Sequence, residues 1–487
     1  MRSLHGQSSA FAPALVLLAL VGGCKVDQVA EVATYRAVLD TGLNTTEQGP
    51  IESPGPMDEL GVRTAMRLAS LRNERLDIEG ERYLQWIIDR RRAAAAFLPT
   101  VGLSPSYVFR DRVDGLRRSL FDMPLDAFMV FNPVADAYAI SEADARILVA
   151  RAELLAAQDA LLLDTARSVY EVIRAERQVV VFARSIELQQ ERVRDAEVRR
   201  EVGLISPLDV SLSRSALADT RARAIDAGAQ VHQGRALLSF LANVDAHQTP
   251  LIDDLGSEAI VPELEWLDAE ARRWRPELAA AQAAIMAADA AVESAYGEYW
   301  PSVALDVRVF LTRQSEPSNL DWTSLFALHI PIFSAGLIEA DVRTALSQAR
   351  AARQAESLLR REIVRDIESA RIGMLAARDR VVQRTLDVEA AQQALTQAEG
   401  LYAAGLAVNL ERLEAQDRLL NAQLELVGAE LDERIFRLDV LRAIGRIHEV
   451  AGLVREPIDG STPAPHHGPL DDDAQTRPTE VTHASVG

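Results

Sequence analysis

The chain carries an internal duplication, which limits its possible folds more than any other feature. Leu98-Pro99-Thr100-Val101-Gly102-Leu103 is repeated as Trp300-Pro301-Ser302-Val303-Ala304-Leu305, 202 positions on. The segment from Val202-Gly203-Leu204 to Leu208-Asp209 returns as Ala404-Gly405-Leu406 to Leu410-Glu411, again offset by 202. Between these anchors, Glu142-Ala143-Asp144-Ala145-Arg146 is echoed by Glu339-Ala340-Asp341-Val342-Arg343, offset by 197. Three anchors in one order predict a single architecture of two halves, although 487 residues could hold several domains. Each half reads helix, strand, loop, strand, very long helix, tight reversal, long helix.

The strands are marked by a period of two. Val101, Leu103, Pro105, Tyr107 and Phe109 alternate with Thr100, Gly102, Ser104, Ser106 and Arg110, Val108 being the exception. In the second half Val303, Leu305, Val307 and Val309 alternate with Ser302, Ala304, Asp306 and Arg308. Such a strand suits a boundary between lipid and a wet lumen. It equally suits a soluble core with its charges in water, which is the more ordinary case. Polar loops at 111–124 and 312–321 lead to return strands at 125–132 and 322–330, closed by Pro133 and Pro331. No Asn-Gly-type turn is read in these loops, so both hairpin tips are expected to be open.

Residues 58–96 read as a helix that Pro99 ends. The span 140–201 has no Pro or Gly, and 337–404 has only Gly373 and Gly400. About 60 helical residues reach roughly 90 Å, the length of a coiled coil rather than a globular helix. Sharp reversals at Gly203 to Pro207 and Gly405 to Asn409 lead into shorter helices at 208–243 and 410–447. The expected organisation is a signal peptide 1–23, an N-terminal segment 24–57, a first repeat 58–244, a linker 245–264, a second repeat 265–450 and a disordered tail 451–487.

Two strands per half cannot close a sheet. A membrane-crossing sheet must close, because its edge amides cannot meet water. The smallest such barrels have about eight strands. Long two-helix hairpins also leave apolar seams to be covered by neighbours. Both features predict a homo-oligomer.

The N-terminus carries its own signal. Arg2 precedes an apolar run from Phe11 to Val21, too short to span a bilayer, as in a secretory signal peptide. Val21-Gly22-Gly23-Cys24 resembles a bacterial lipobox, which implies cleavage before the sole cysteine, Cys24, and its lipidation. Lys25, in place of Asp, points to outer-membrane retention. An ordinary signal peptide beside an incidental cysteine is the alternative.

A net charge of −20 argues against nucleic acid as partner. No phosphate loop, His-Glu-x-x-His or cysteine cluster is present, so no enzyme, cofactor or metal site is expected. His466-His467 with Asp471-Asp472-Asp473 could ligate a metal, but in a disordered tail they read as incidental.

Further motifs carry a resemblance. They are Arg275-Pro276-Glu277-Leu278, Tyr299-Trp300-Pro301-Ser302, and His329-Ile330-Pro331-Ile332-Phe333-Ser334-Ala335-Gly336. The run from Gly203 to Val210 and that from Gly405 to Gln416 complete the set. Over about 58–450 the chain resembles the TolC-like outer-membrane efflux proteins, in their lipoprotein branch. The resemblance implies a mainly helical fold with a small β-barrel portion. It implies a trimer with a twelve-strand barrel in the outer membrane and a twelve-helix periplasmic tunnel. Its partners would be a periplasmic adaptor protein and an inner-membrane pump of an efflux or type I secretion system. Competing readings are an adaptor subunit and a structural coiled-coil envelope lipoprotein. An adaptor has one hairpin where this chain has two, and the charged, alternating strands argue against a tether.

The resemblance also assigns site residues. Glu411 and Glu414 take the places of two acidic residues that line the periplasmic gate. Asp209 and Tyr402 sit where family members have a bond that holds the mouth shut. Ala407 stands where an arginine is expected, and Arg412 could substitute for it. The turns with Gly203, Leu204, Ser206, Gly405 and Leu406 are where family channels meet the adaptor. The glycines also suit a tight reversal on structural grounds alone. A solvated acidic helix face is the plain alternative for Glu411 and Glu414.

Overall fold

The computed structural model describes residues 28–39, 59–113, 116–255, 264–315, 317 and 319–457. Cys24, the expected signal peptide and the His466-His467 tract lie outside the described residues.

The duplication appears as elements of equal length. After α1 (Gln28–Leu39), the first repeat holds α2 (Val62–Arg72), α3 (Glu74–Ala95), α4 (Ala135–Glu201) and α5 (Pro207–Ala242). The second holds α6 (Leu264–Trp274), α7 (Pro276–Gly297), α8 (Leu337–Ala403) and α9 (Asn409–Ala443), followed by α10 (Ile447–Val450). Helices α2 and α6 have 11 residues each, α3 and α7 have 22, and α4 and α8 have 67. Their first residues, such as Ala135 and Leu337, are 202 positions apart. That uniform frame removes one expected anchor. Glu142 falls opposite Thr344, so the echo at 339–343 is out of register. Both copies of the echo are local Glu–Arg pairs four residues apart, Glu142 with Arg146 and Glu339 with Arg343.

The helix expected over 58–96 is split at Asn73. This residue ends α2 and caps α3, its side chain accepting from the Arg75 N–H at 3.0 Å. The linker returns to the start of the repeat, where β1 (Leu60–Gly61) pairs in parallel with β5 (Leu251–Ile252).

One antiparallel sheet contains the hairpins of both halves. A first strand, interrupted at Ser104-Pro105, forms β2 (Thr100–Leu103) and β3 (Ser106–Val113). Both pair with β4 (Leu116–Phe131); β4 pairs with β6 (Ser302–Thr312), and β6 with β7 (Trp322–His329). The second hairpin follows expectation. The first departs from it: β4 starts at Leu116, and Val113 pairs with Leu116. Only Asp114 and Gly115 separate these two residues, an Asp-Gly pair that favours a two-residue turn. The expected open loop at 111–124 is therefore mostly ladder. In the second hairpin, residues 313–315 are tied back to β4. The Asp122 carboxylate accepts from the Gln314 and Ser315 amides at 2.7 and 3.1 Å.

Cross-strand partners share a face. Val101, Ala127, Val307 and Ser324 therefore form one row, and Leu103, Leu125, Val309 and Trp322 the next. The opposite face has Gly102, Asp126, Arg308 and Thr323 in one row, with Arg308 paired to Asp126 at 2.5 Å. On the apolar face Val101 is 65% exposed, Trp322 63% and Phe326 67%. A strand seated on a soluble core, the more ordinary expectation, is thus not what forms: this face packs on no core. Strands β2, β3 and β7 are left as edges within the single chain.

Each long helix reaches about 100 Å at 1.5 Å per residue. Next to the sheet α3 packs on α4, α4 on α7, and α7 on α8; toward the far end α5 packs on α4, α4 on α9, and α9 on α8. The two hairpins are joined along α4 and α9 by charged rungs. Arg167 meets Asp439, Arg174 meets Asp432 at 2.5 Å in each case, and Arg177 meets Glu430 at 3.1 Å. Among the described residues no helix is long and apolar enough to cross a membrane.

The main core lies where α5 and α9 end against the middle of α4. Leu60, Met66, Leu76, Leu154, Leu162, Tyr170, Leu238 and Ile447 are fully or almost fully buried there. Two segments outside the repeats join this core. The N-terminal segment forms α1, with Tyr35 and Leu39 buried. From the expected tail, Arg455 grips the fully buried Asp159 through two hydrogen bonds of 2.9 and 3.0 Å. Gln158 completes the knot: it accepts from Arg455 at 2.9 Å and donates to Leu39 O and Ser70 Oγ at 3.2 and 2.8 Å.

Where helices meet sheet, Asn132 holds both repeats. Its Nδ2 donates to Gly297 O at 2.9 Å, and its Oδ1 accepts from the Val134 and Ala135 amides, both at 3.1 Å. The contact is close enough that a Cβ on Gly297 would lie 2.5 Å from Ala135 N.

Candidate functional site: the helix reversals

The two reversals are built alike. In the first, Gly203 at φ 75° ends α4, and the Leu204 N–H donates to Arg199 O at 2.9 Å. In the second, Gly405 at φ 70° ends α8, and the Leu406 N–H donates to Leu401 O, also at 2.9 Å. This six-to-one bond with a left-handed glycine satisfies the last helical carbonyls. No neighbour lies within 4 Å of a Cβ placed on either glycine, so backbone conformation and not crowding selects Gly. Leu204 is 72% exposed and Leu406 77%, which leaves two bare apolar tips.

The helices that leave the reversals start differently. Ser206 caps α5 in a reciprocal box: its Oγ accepts from Asp209 N at 3.3 Å, and Asp209 Oδ2 accepts from Ser206 N at 3.1 Å. Val408, the equivalent residue before α9, offers no side-chain cap. Glu411 and Glu414 are exposed there, one turn apart on α9. The structure therefore brings these two carboxylates onto one open helix face.

It does not bring Asp209 to Tyr402. The Asp209 carboxylate is engaged in its own cap, and the buried Tyr402 hydroxyl has no hydrogen-bond partner. Arg412 does not stand in for an arginine at Ala407 either. Its guanidinium is buried, stacks 4.2 Å from the Tyr402 ring centroid and donates to Asn409 Oδ1 at 2.8 Å. Burial pulls its pKa down. Asn409 in turn donates to Asp209 O and Ser213 Oγ at 3.2 Å, which ties the two reversals together.

Sequence reasoning missed Arg192. It lies in α4 and donates to both Glu399 and Gln416, joining the end of α8 to the start of α9. Burial, with Arg412 nearby, lowers its pKa to about 10. No local motif marks it, because its partners lie in the other repeat. An acidic groove runs alongside, about 430 Å³ in volume, lined by Asp387, Glu414, Asp417 and Glu425 with Arg384 and Arg418.

A duplicated helical shaft with exposed apolar tips at one end and an open-edged antiparallel sheet at the other is the protomer fold of outer-membrane channels. Solved structures agree. The outer-membrane channel OprN superposes with a TM-score of 0.71 at 20% identity, covering 79% of this chain and 89% of that one. Residues 268–446 match the family described as outer membrane efflux protein. The toluene efflux pump outer membrane protein TtgC of Pseudomonas putida is 26% identical over 283 residues, 54% of this chain and 56% of that one. A probable outer membrane lipoprotein of Salmonella typhimurium, SilC, is 27% identical over 184 residues, 35% of this chain and 38% of the relative. The chain thus spans little more than half the length of the first curated relative it matches. Over residues 268–446 it is similar to the outer membrane efflux protein family.

Proposed function

We propose that the chain is the outer-membrane exit duct of a tripartite efflux or type I secretion system. In this reading three copies close a twelve-strand barrel, continued by a twelve-helix periplasmic tunnel. The observation that carries it is the four-strand sheet with two open edges and an uncovered apolar face. Edge amides and apolar side chains are both satisfied if sheets join edge to edge in lipid. Helices α5 and α8 support the same closure. They flank the shaft and expose Ile225, Phe240, Leu358, Ile372 and Leu386. The channel fold favours this reading over an adaptor subunit or a tethering lipoprotein.

The apolar tips at Leu204 and Leu406, with Gly203, Ser206 and Gly405, would dock the periplasmic adaptor that links the duct to an inner-membrane pump. Glu411 and Glu414 would supply six carboxylates around the entrance of the trimer. Lipidation of Cys24 would add an anchor to the same membrane, as the lipobox-like Val21-Gly22-Gly23 suggests; lipid mass on the N-terminal peptide tests this. The duct itself is tested by purifying the protein in detergent, weighing the assembly and recording conductance in a planar bilayer. Trimers with discrete conductance steps are expected. A monomer with no conductance overturns the reading.

A further inference from the structure

Three buried donors beside the second reversal lack an acceptor: Arg412 Nε, Gln416 Nε2 and the Tyr402 hydroxyl. Arg412 is 5% exposed and Gln416 4%. They lie one turn apart on α9, and the Arg412 guanidinium covers the Tyr402 ring. Gln416 Oε1 is taken by Arg192, which fixes Nε2 as a free donor.

Charge is unbalanced in the same place. Arg192 has Glu399 as counterion, and Arg199 has Asp195 at 2.9 Å. Arg412 touches only the neutral Asn409 and the Tyr402 ring, while Asp195 and Asp209 act on it from a distance. The repeat frame shows that no fold requirement puts a charge here. Val210, 202 positions earlier, fills the equivalent place as a buried apolar residue. A buried guanidinium without a contacting counterion is costly. Arg412 is already enclosed within one copy, and Asn409, one turn before it on α9, is bonded to Asp209 and Ser213 of the chain's own first hairpin.

We propose that a monovalent anion of halide size, chloride in the cell, binds between the two hairpin tips on Arg412, Gln416 and Tyr402. An anion accepts from all three donors and balances one positive charge. A water molecule would bring two more donors into a site that already has an excess, and would leave the charge in place. The bound anion ties the start of α9 to the end of α8, so chloride stiffens the mouth whatever the duct carries.

The test uses the purified full-length protein. Crystals soaked in sodium bromide should give an anomalous peak within about 3.5 Å of Arg412 Nε. In solution the protein should melt at a higher temperature in sodium chloride than in sodium gluconate of equal ionic strength. Arg412→Met, which imitates Val210, should lose both the peak and the difference. Tyr402→Phe keeps ring and charge, and should raise the half-saturating chloride concentration several-fold. Absence of the bromide peak in the unaltered protein, or equal melting in the two salts, overturns the site. So does an unchanged half-saturation in Tyr402→Phe, the variant that serves if Arg412→Met does not fold.

Discussion

Asp209 and Glu411 stand 202 positions apart at matching places in the two repeats, yet only Asp209 is tied to its own helix start. The first carboxylate closes a capping box, and the second is exposed at a helix start that has no side-chain cap. The duplicated frame thus places one acidic position in two environments.

Stability should separate those environments. Ser206→Ala removes the cap of α5 and should cost about 1 kcal/mol. Glu411→Gln alters an exposed side chain and should stay within about 0.5 kcal/mol of the parent. Urea unfolding of both variants checks the contrast.

Ion selectivity should show the reverse ranking. Glu411→Gln with Glu414→Gln should weaken the cation preference of the reconstituted channel and its block by multivalent cations. The effect should fade as salt rises, because the Debye length is about 8 Å at physiological ionic strength. Reversal potentials in asymmetric salt measure it. Unchanged selectivity would place both residues outside the lumen.

The reversals depend on left-handed glycines. Gly203→Ala and Gly405→Ala should each cost about 1–2 kcal/mol, since a Cβ is disfavoured at positive φ even with open space around it. Hydrogen exchange at residues 200–206 and 402–408 should rise in the respective variant.

Acid should loosen the base of the second repeat. His448 is buried against Trp274, with ring centroids 5.8 Å apart, and burial lowers its pKa to about 3. The unfolded chain takes up that proton near pH 6.5, whereas the folded chain resists it. Stability from neutral His448 is therefore complete above about pH 6.5 and is lost progressively as pH falls toward 3. Melting temperature against pH should have a shallower acid slope in His448→Phe.

Features set by local pattern were legible in the sequence. The alternation at 302–309 gave β6, and the Pro- and Gly-free run gave α4. The two glycines gave the reversals. Features set by distant partners were not. Nothing near Arg192 or Arg412 signals burial, because Glu399 reaches Arg192 from the other repeat and the Tyr402 ring covers Arg412 from the other side of the turn. The Asp114-Gly115 pair was readable as a turn former, but the polar residues around it imitate an open loop. Helix α1 is short and weakly patterned, and it is held by the core contacts of Tyr35 and Leu39 rather than by its own sequence.

The bond between Asp159 and Arg455 spans 296 residues and also depends on the N-terminal segment, through Gln158 and Leu39. Both hairpins and all four strands are synthesised before Arg455 emerges. Until then Asp159 has only the more distant Arg442 acting on it, and burial favours the protonated acid. Arg455 is therefore the latest-made partner of a carboxylate that lies in the first repeat. A chain truncated just before Arg455 keeps every helix and strand of the described fold but leaves the buried Asp159 carboxylate without the partner that joins the two ends.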